Sequence, residues 1–285
     1  MLNEEQVTKN IIKSFSENIG FPVYTAEELE KMYKSFGVDP KSLDRRVFDT
    51  ESMSHHLQSE VIKLLRMMKI EKDDFILDAG CGNGAPTRLM AKLYGCRIIG
   101  FDINPNQIQK AIDCDILEGV DFLIKRDIKD VHKIDYSENT FNKIFHNETI
   151  CHWMNKEVAL SGLYRVLKKG GIMGFHDWAR GDRGDLNEAG GDFPGTYAEG
   201  VWFQHTIQET KSLLEQAGFV VLHTEDTTDI VDRGLRARLR ELQMSKVYLK
   251  GASEEYFHKS IRYFKVMIET HYNYLRYGRF LCFKK

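Results

Sequence analysis

The sequence predicts an α/β fold: a mostly parallel, seven-stranded sheet with helices on both faces. Three observations carry this expectation. Short apolar segments alternate with amphipathic ones through the middle of the chain. A glycine-rich turn directly follows the first apolar segment, and acidic residues close successive segments. Apolar strands separated by helical patterns indicate βαβ units and a parallel sheet.

In chain order, residues 1–70 read as helices. Thr25 and Glu28 form a capping box ahead of a helix through Met32 and Phe36, which Gly37 and Pro40 then stop. Leu57, Val61, Leu64, Leu65 and Met68 put one apolar face on a second helix, Ser54 to Met68. Residues 71–228 form the sheet domain, with strands at Phe75–Asp78, Arg97–Asp102, Asp121–Lys125, Lys143–His146, Gly171–His176 and Val220–Thr224. Thr206 and Glu209 cap the helix that runs to Gly218. Residues 229–277 read as helices rich in Arg, Tyr and Phe, and residues 278–285 supply the last strand. The helices at both ends form a cap over the sheet; the alternative for the C-terminal pair is a homodimer surface.

The bulk numbers narrow the function classes. The chain has 285 residues, 42% of them hydrophobic, enough for one large core. Its net charge of −2 leaves no electrostatic footprint for a nucleic-acid backbone. No apolar run reaches the length of a membrane span. The N-terminus has no secretory pattern, and Cys81, Cys96, Cys114, Cys151 and Cys282 are odd in number and scattered. Both features point to a cytoplasmic protein with reduced thiols.

The chemistry lies at the strand ends. In Ile76-Leu77-Asp78-Ala79-Gly80-Cys81-Gly82-Asn83-Gly84, a strand runs into a GxGxG turn. Glycines let a ligand approach the backbone closely. The acid that closes this strand would repel a pyrophosphate and suits a ligand with an ammonium group. Asp102, followed by Ile103, ends the next strand about 20 residues further on, where a carboxylate accepts both hydrogen bonds of a ribose diol. Asp127 and Ile128 close the third, a carboxylate for an adenine amino group and an apolar cover for its ring.

In order and spacing these motifs resemble the class I S-adenosylmethionine-dependent methyltransferases, over roughly residues 70–225. The resemblance implies a Rossmann-like fold and S-adenosyl-L-methionine as cofactor. It places Asp78 and Gly80 at the methionine end, Asp102 at the ribose, and Asp127 with Ile128 at the adenine, with Gly82, Gly84 and Ile103 as further cofactor-binding candidates. His146, at the end of the fourth strand, is expected to face the methyl donor.

The segment that follows, Glu148-Thr149-Ile150-Cys151-His152-Trp153, resembles the sterol and prenyl-type C-methyltransferase branch. Methylating an alkene leaves a carbocation, which needs aromatic faces and then a base. Glu148 is the candidate base, with His152 as its partner or as a substrate ligand. His176, beside Asp177 at the fifth strand end, is a third catalytic candidate. Trp153, Trp178, Tyr197, Trp202 and Phe203 are candidates for lining the acceptor pocket. His146, Glu148, His152 and His176 match no metal-binding spacing, so no metal is assigned. The acceptor expected is a small molecule. An N- or O-methyltransferase of an amine, phosphobase or hydroxylated metabolite is the competing reading, with Glu148 then binding an ammonium.

Overall fold

The structure, a computed structural model, describes residues 3–16, 24–52, 54–186, 200–244 and 254–285. Seven strands form one sheet in the order β3-β2-β1-β4-β5-β7-β6. They are β1 (Phe75–Ala79), β2 (Arg97–Asp102), β3 (Ile124–Ile128), β4 (Phe141–Asn147), β5 (Leu167–Arg180), β6 (Phe219–Asp226) and β7 (Leu275–Lys284). The first five pair in parallel, and β7 inserts antiparallel between β5 and β6. The strand order reverses at β1, so β1 and β4 diverge to open a crevice at their carboxyl ends.

Helices cover both faces. On one, α4 (Gln58–Met67) and α5 (Ala85–Tyr94) bury Leu64, Leu65 and Met90 against Ile76, Ile98 and Phe145. On the other, α7 (Lys156–Val166) and α8 (Ile207–Gln216) bury Leu160, Leu163 and Leu214 against Leu77, Ile144 and Phe175. α6 (Pro105–Leu117) packs on β2 and β3. The expected capping boxes form at Thr25–Glu28, opening α2 (Ala26–Phe36), and at Thr206–Glu209, opening α8. Outside the sheet domain lie α1 (Glu4–Ser16), α3 (Arg45–Glu51), α9 (Thr228–Met244) and α10 (Glu254–Thr270).

Several boundaries depart from the sequence reading, among them the last strand, which starts at Leu275 inside the stretch expected to be helical. Asp121–Leu123 is a turn of 3-10 helix, so β3 starts later than expected. β5 reaches back to Leu167. Residues 54–57 are not helical, because the hydrogen-bonding groups of Ser54, His55 and His56 are committed to Glu148, far along the chain.

Candidate functional site

One cavity runs along the carboxyl ends of β1, β2 and β4, from Asp102 and Ile103 past the glycine turn to Trp178 and Trp202. At its first end, the glycine turn is shaped by positive φ at Gly80 (+77°) and Gly82 (+51°), a region that favours glycine. A Cβ on Gly80 would run into Thr149, so that position also needs glycine for close packing. Asp78 is buried, and the donor the structure gives it is the Thr87 hydroxyl. Burial pushes its carboxyl up to about 6, against the pull of Thr87 and Arg126. Asp102 accepts from the backbone N–H groups of Gly82 and Asn104, both at 2.9 Å, which fixes its carboxylate beside the turn. Burial raises its pKa while these bonds oppose the rise.

Not every residue expected here lines the cavity. Gly80, Gly82, Asp78, Asp102 and Ile103 do. Gly84 does not: at φ +81° it caps α5, and its missing Cβ makes room for the Arg126 guanidinium. Asp127 also stays outside the lining, because its carboxylate accepts from the Tyr136 hydroxyl at 2.8 Å and pairs with Lys125. Ile128 is exposed. Lys129, Asp130, Val131 and His132 line this stretch of wall in their place. His132 Nδ1 and Asp130 Oδ1 lie 2.7 Å apart.

The other end is aromatic. Trp178 stacks on Trp202 with centroids 4.8 Å apart, and His152 sits 4.7 Å from Trp202 and 5.0 Å from Phe15. Trp153 contributes to the wall as well. Tyr197 lies outside the described residues. Phe203 points elsewhere, with the Lys156 ammonium 6.0 Å over its ring. α1 supplies the outer wall through Val7, Ile11 and Phe15.

Glu148 stands at the junction of the two ends, and its environment differs from that of a free base. β4 ends at Asn147, and Glu148 takes φ +58°, uncommon for a residue with a side chain. Its carboxylate accepts from Ser54 Oγ (2.7 Å), the backbone N–H groups of His55 (2.9 Å) and His56 (3.3 Å), His56 Nδ1 (2.8 Å) and Trp178 Nε1 (2.7 Å). Burial works against the charge. The His56 hydrogen bond, the neighbouring histidines and Trp178 outweigh it and hold the carboxyl down to about 2. A carboxylate so saturated is a fixed anion, and this corrects the role of base.

The expectation that His146 faces the methyl donor is not met by the structure. His146 keeps its place in β4, stacks on Phe175 at 4.0 Å and lines no part of the cavity, whereas Glu148, beyond the last strand residue, is turned toward it. Burial pushes His146 down to about 3. His176 is likewise behind the wall: it stacks on His56 at 3.9 Å and accepts from Arg279 Nε at 2.9 Å. Its neighbour Asp177 caps the turn 149–151, accepting from the N–H groups of Thr149, Ile150, Cys151 and Trp178. Among the described residues no group of three or more His, Cys, Asp or Glu side chains could hold a metal.

His152 also lines the cavity. Its Nδ1 lies 2.8 Å from the Val201 carbonyl, which makes Nδ1 the protonated nitrogen and leaves Nε2 with the lone pair. Burial first, then Lys156, pull it down to about 4 despite the Val201 bond, so it is neutral at pH 7.

The sequence reading did not anticipate Ser54-His55-His56. His55 is fully buried, stacks on Trp178 at 4.6 Å, and meets Tyr277 Oη at 2.6 Å and Tyr263 Oη at 2.9 Å through its two ring nitrogens. Burial pushes it down to about 3, so it is neutral and serves one tyrosine as donor and the other as acceptor. Two adjacent histidines before an apolar helix were the only signal available.

Comparison with known proteins agrees with this layout. Residues 77–175 match a family model described as a methyltransferase domain. The chain is 31% identical to sterol 24-C-methyltransferase ERG6 of Saccharomyces cerevisiae over 191 residues, covering 65% of this chain and 49% of that protein. It is 30% identical to phosphoethanolamine N-methyltransferase 1 of Triticum aestivum over 171 residues, covering 60% and 33%. The chain thus spans about half the length, or less, of these curated relatives. By structure it is similar to Haemonchus contortus phosphoethanolamine N-methyltransferase 2, with TM-score 0.75 and 18% identity over 96% of this chain and 60% of that one. At that identity the likeness speaks for the fold. The strand order is that of the Rossmann-like class, and the stretch that matches the methyltransferase-domain model, residues 77–175, carries the glycine turn with its two flanking carboxylates.

Proposed function

We propose that this protein transfers a methyl group from S-adenosyl-L-methionine to a small apolar acceptor on which positive charge develops. The observation that carries the reading is the single cavity with two unlike ends: acidic residues at a glycine turn, and an aromatic chamber beside a buried anion. The donor end fits the cofactor's chemistry. Asp78 has acceptor capacity left for an ammonium, Asp102 stands at the ribose position, and the glycine turn leaves the backbone bare. Bound there, the cofactor supplies an electrophilic methyl group on a sulfonium.

The residues at the other end perform the remaining tasks. Trp178, Trp202 and Phe15 exclude water and present aromatic faces to a cation. Glu148, held ionised by its donors, stabilises positive charge through the low-dielectric site without moving. His152 Nε2 accepts the proton lost from the methylated carbon. Carbon methylation of an isoprenoid or sterol-like alkene uses all three features, and sterol C-methyltransferases are among the relatives. Methylation of an amine is the second reading, favoured by the phosphobase relatives, with Glu148 facing the ammonium.

A methyl-transfer assay with labelled S-adenosyl-L-methionine tests this. Pools of sterols, prenyl diphosphates, amines, phosphobases and phenols are offered to the wild type. Turnover of an alkene is the expected result. Turnover confined to amines replaces carbon methylation with the second reading, and no turnover with any pool defeats both.

A further inference from the structure

Beneath the glycine turn lies a buried charge cluster that the chemistry above leaves unused. Arg126, in β3, reaches both oxygens of Asp115 in α6, from Nε at 2.8 Å and Nη2 at 2.9 Å. Its Nη1 donates to Thr87 Oγ1 at 3.0 Å, and the Thr87 hydroxyl donates in turn to Asp78. Both donors therefore point the same way, from guanidinium through hydroxyl to carboxylate. Space for this arrangement is built into the backbone: a Cβ on Gly84 or on Gly100 would run into the Arg126 guanidinium. Alongside, Arg88 pairs with Glu118 at 2.6 Å and donates to the Asn83 carbonyl at 2.7 Å, so the turn is gripped from below at two points.

We propose that Arg126 is a positioning residue for the cofactor turn: acting through Thr87, it keeps the Asp78 carboxylate charged and oriented toward the ammonium end of the ligand. This rests on the reading that the turn binds S-adenosyl-L-methionine. A hydroxyl polarised by a guanidinium is a stronger donor than a hydroxyl alone, and a stronger donor favours the ionised acid. Asp78 needs that help. Facing it are Asp102 from β2, Asp115 from α6, and Cys81 in the turn itself, while Glu148 shares its cavity from the end of β4. Burial and these acids push its carboxyl up, and Thr87 and Arg126 bring it back to about 6. Without the relay, a larger share of Asp78 is protonated at neutral pH, and a neutral acid gives an ammonium a weaker partner.

The test is calorimetric binding of S-adenosyl-L-homocysteine to the full chain at a series of pH values from about 5 to 8.5, around the Asp78 titration. Wild-type affinity should fall below about pH 6 as Asp78 protonates. Thr87→Val cuts the relay and leaves the Arg126–Asp115 pair in place, so it guards against loss of fold in Arg126→Met. In both variants the fall should begin about one pH unit higher, giving roughly fivefold weaker binding at pH 6 and approaching tenfold at about pH 5. A thioether nucleoside lacking the amino-acid portion should bind wild type and variants alike at every pH. An unmoved midpoint in Thr87→Val, or an equal loss at every pH for both ligands, overturns the proposal. Failure of the wild type to bind either ligand overturns the cofactor assignment instead.

Discussion

Glu148 shows how an environment sets what a side chain can do. Its charge is held by donors from two separate stretches of chain, residues 54–56 and Trp178, and its carboxyl sits at about 2. Glu148→Gln would turn an amide N–H₂ toward groups that themselves donate. Leaving buried donors unmatched costs about 1–3 kcal/mol, so denaturant unfolding should register a loss of that size. The same substitution should lower kcat by at least about tenfold, since a fixed anion beside a developing cation is worth several kcal/mol. The pH profile separates this role from that of a base. Wild-type kcat/KM should show no acid limb from Glu148 above about pH 3, and the limb near pH 6 should belong to Asp78. A limb near the ordinary Glu value that vanishes in Glu148→Gln would restore Glu148 as the base. Asp177 governs a neighbouring turn: Asp177→Ala strips the acceptor from four backbone N–H groups, and the turn that carries His152 loses its anchor. Activity should fall steeply with cofactor affinity little changed, read as a drop in kcat at constant Kd for S-adenosyl-L-homocysteine.

Among the elements, α1 has an unusual position. Its apolar face covers the cavity through Val7, Ile11 and Phe15, and it is tied to α6 by Gln107 donating to the Phe15 carbonyl at 2.7 Å and Asn104 to that of Ile12 at 3.3 Å. Removing residues 3–16 should therefore admit water to the chamber and raise KM for the acceptor by about tenfold or more, with an accompanying fall in kcat. Because the sheet core does not include α1, the Tm should drop by only a few degrees, on the order of one lost kcal/mol. A large drop would show that α1 is part of the core and would remove the basis for treating it as a wall of the site. The C-terminal helices act differently. Among the described residues α9 and α10 supply none to the cavity lining, but Tyr263 and Arg238 reach His55 and the Ser54 carbonyl, fixing the segment that fixes Glu148.

Across the whole molecule, the last strand locks the assembly. Arg279 of β7 is fully buried and bonds to His176 in β5, Glu225 in β6 and Glu60 in α4, so one side chain joins four elements. Arg279→Met would strand carboxylates that are partly solvated. The cost should fall near the lower end of that for breaking a buried ion pair, about 3 kcal/mol, measurable by urea unfolding. Loss below about 1 kcal/mol would show that water already supports Glu60 and Glu225.

Much of this architecture was legible in the sequence, because it follows from local rules. Strand alternation, the two capping boxes, the glycine turn after Ile76–Asp78 and the acid at the end of β2 depend on neighbours within a few residues. Tertiary structure decided the rest, because it depends on which groups meet after folding. Asp127 was taken by Tyr136, and Gly84 served an arginine 42 positions later in the chain. The positive φ of Glu148 ended the strand alternation and turned its carboxylate into the cavity. Above all, the role of Glu148 was set by Ser54, His55 and His56, more than 90 residues away. A carboxylate's chemistry depends on how many donors surround it, and only the folded chain brings those donors together.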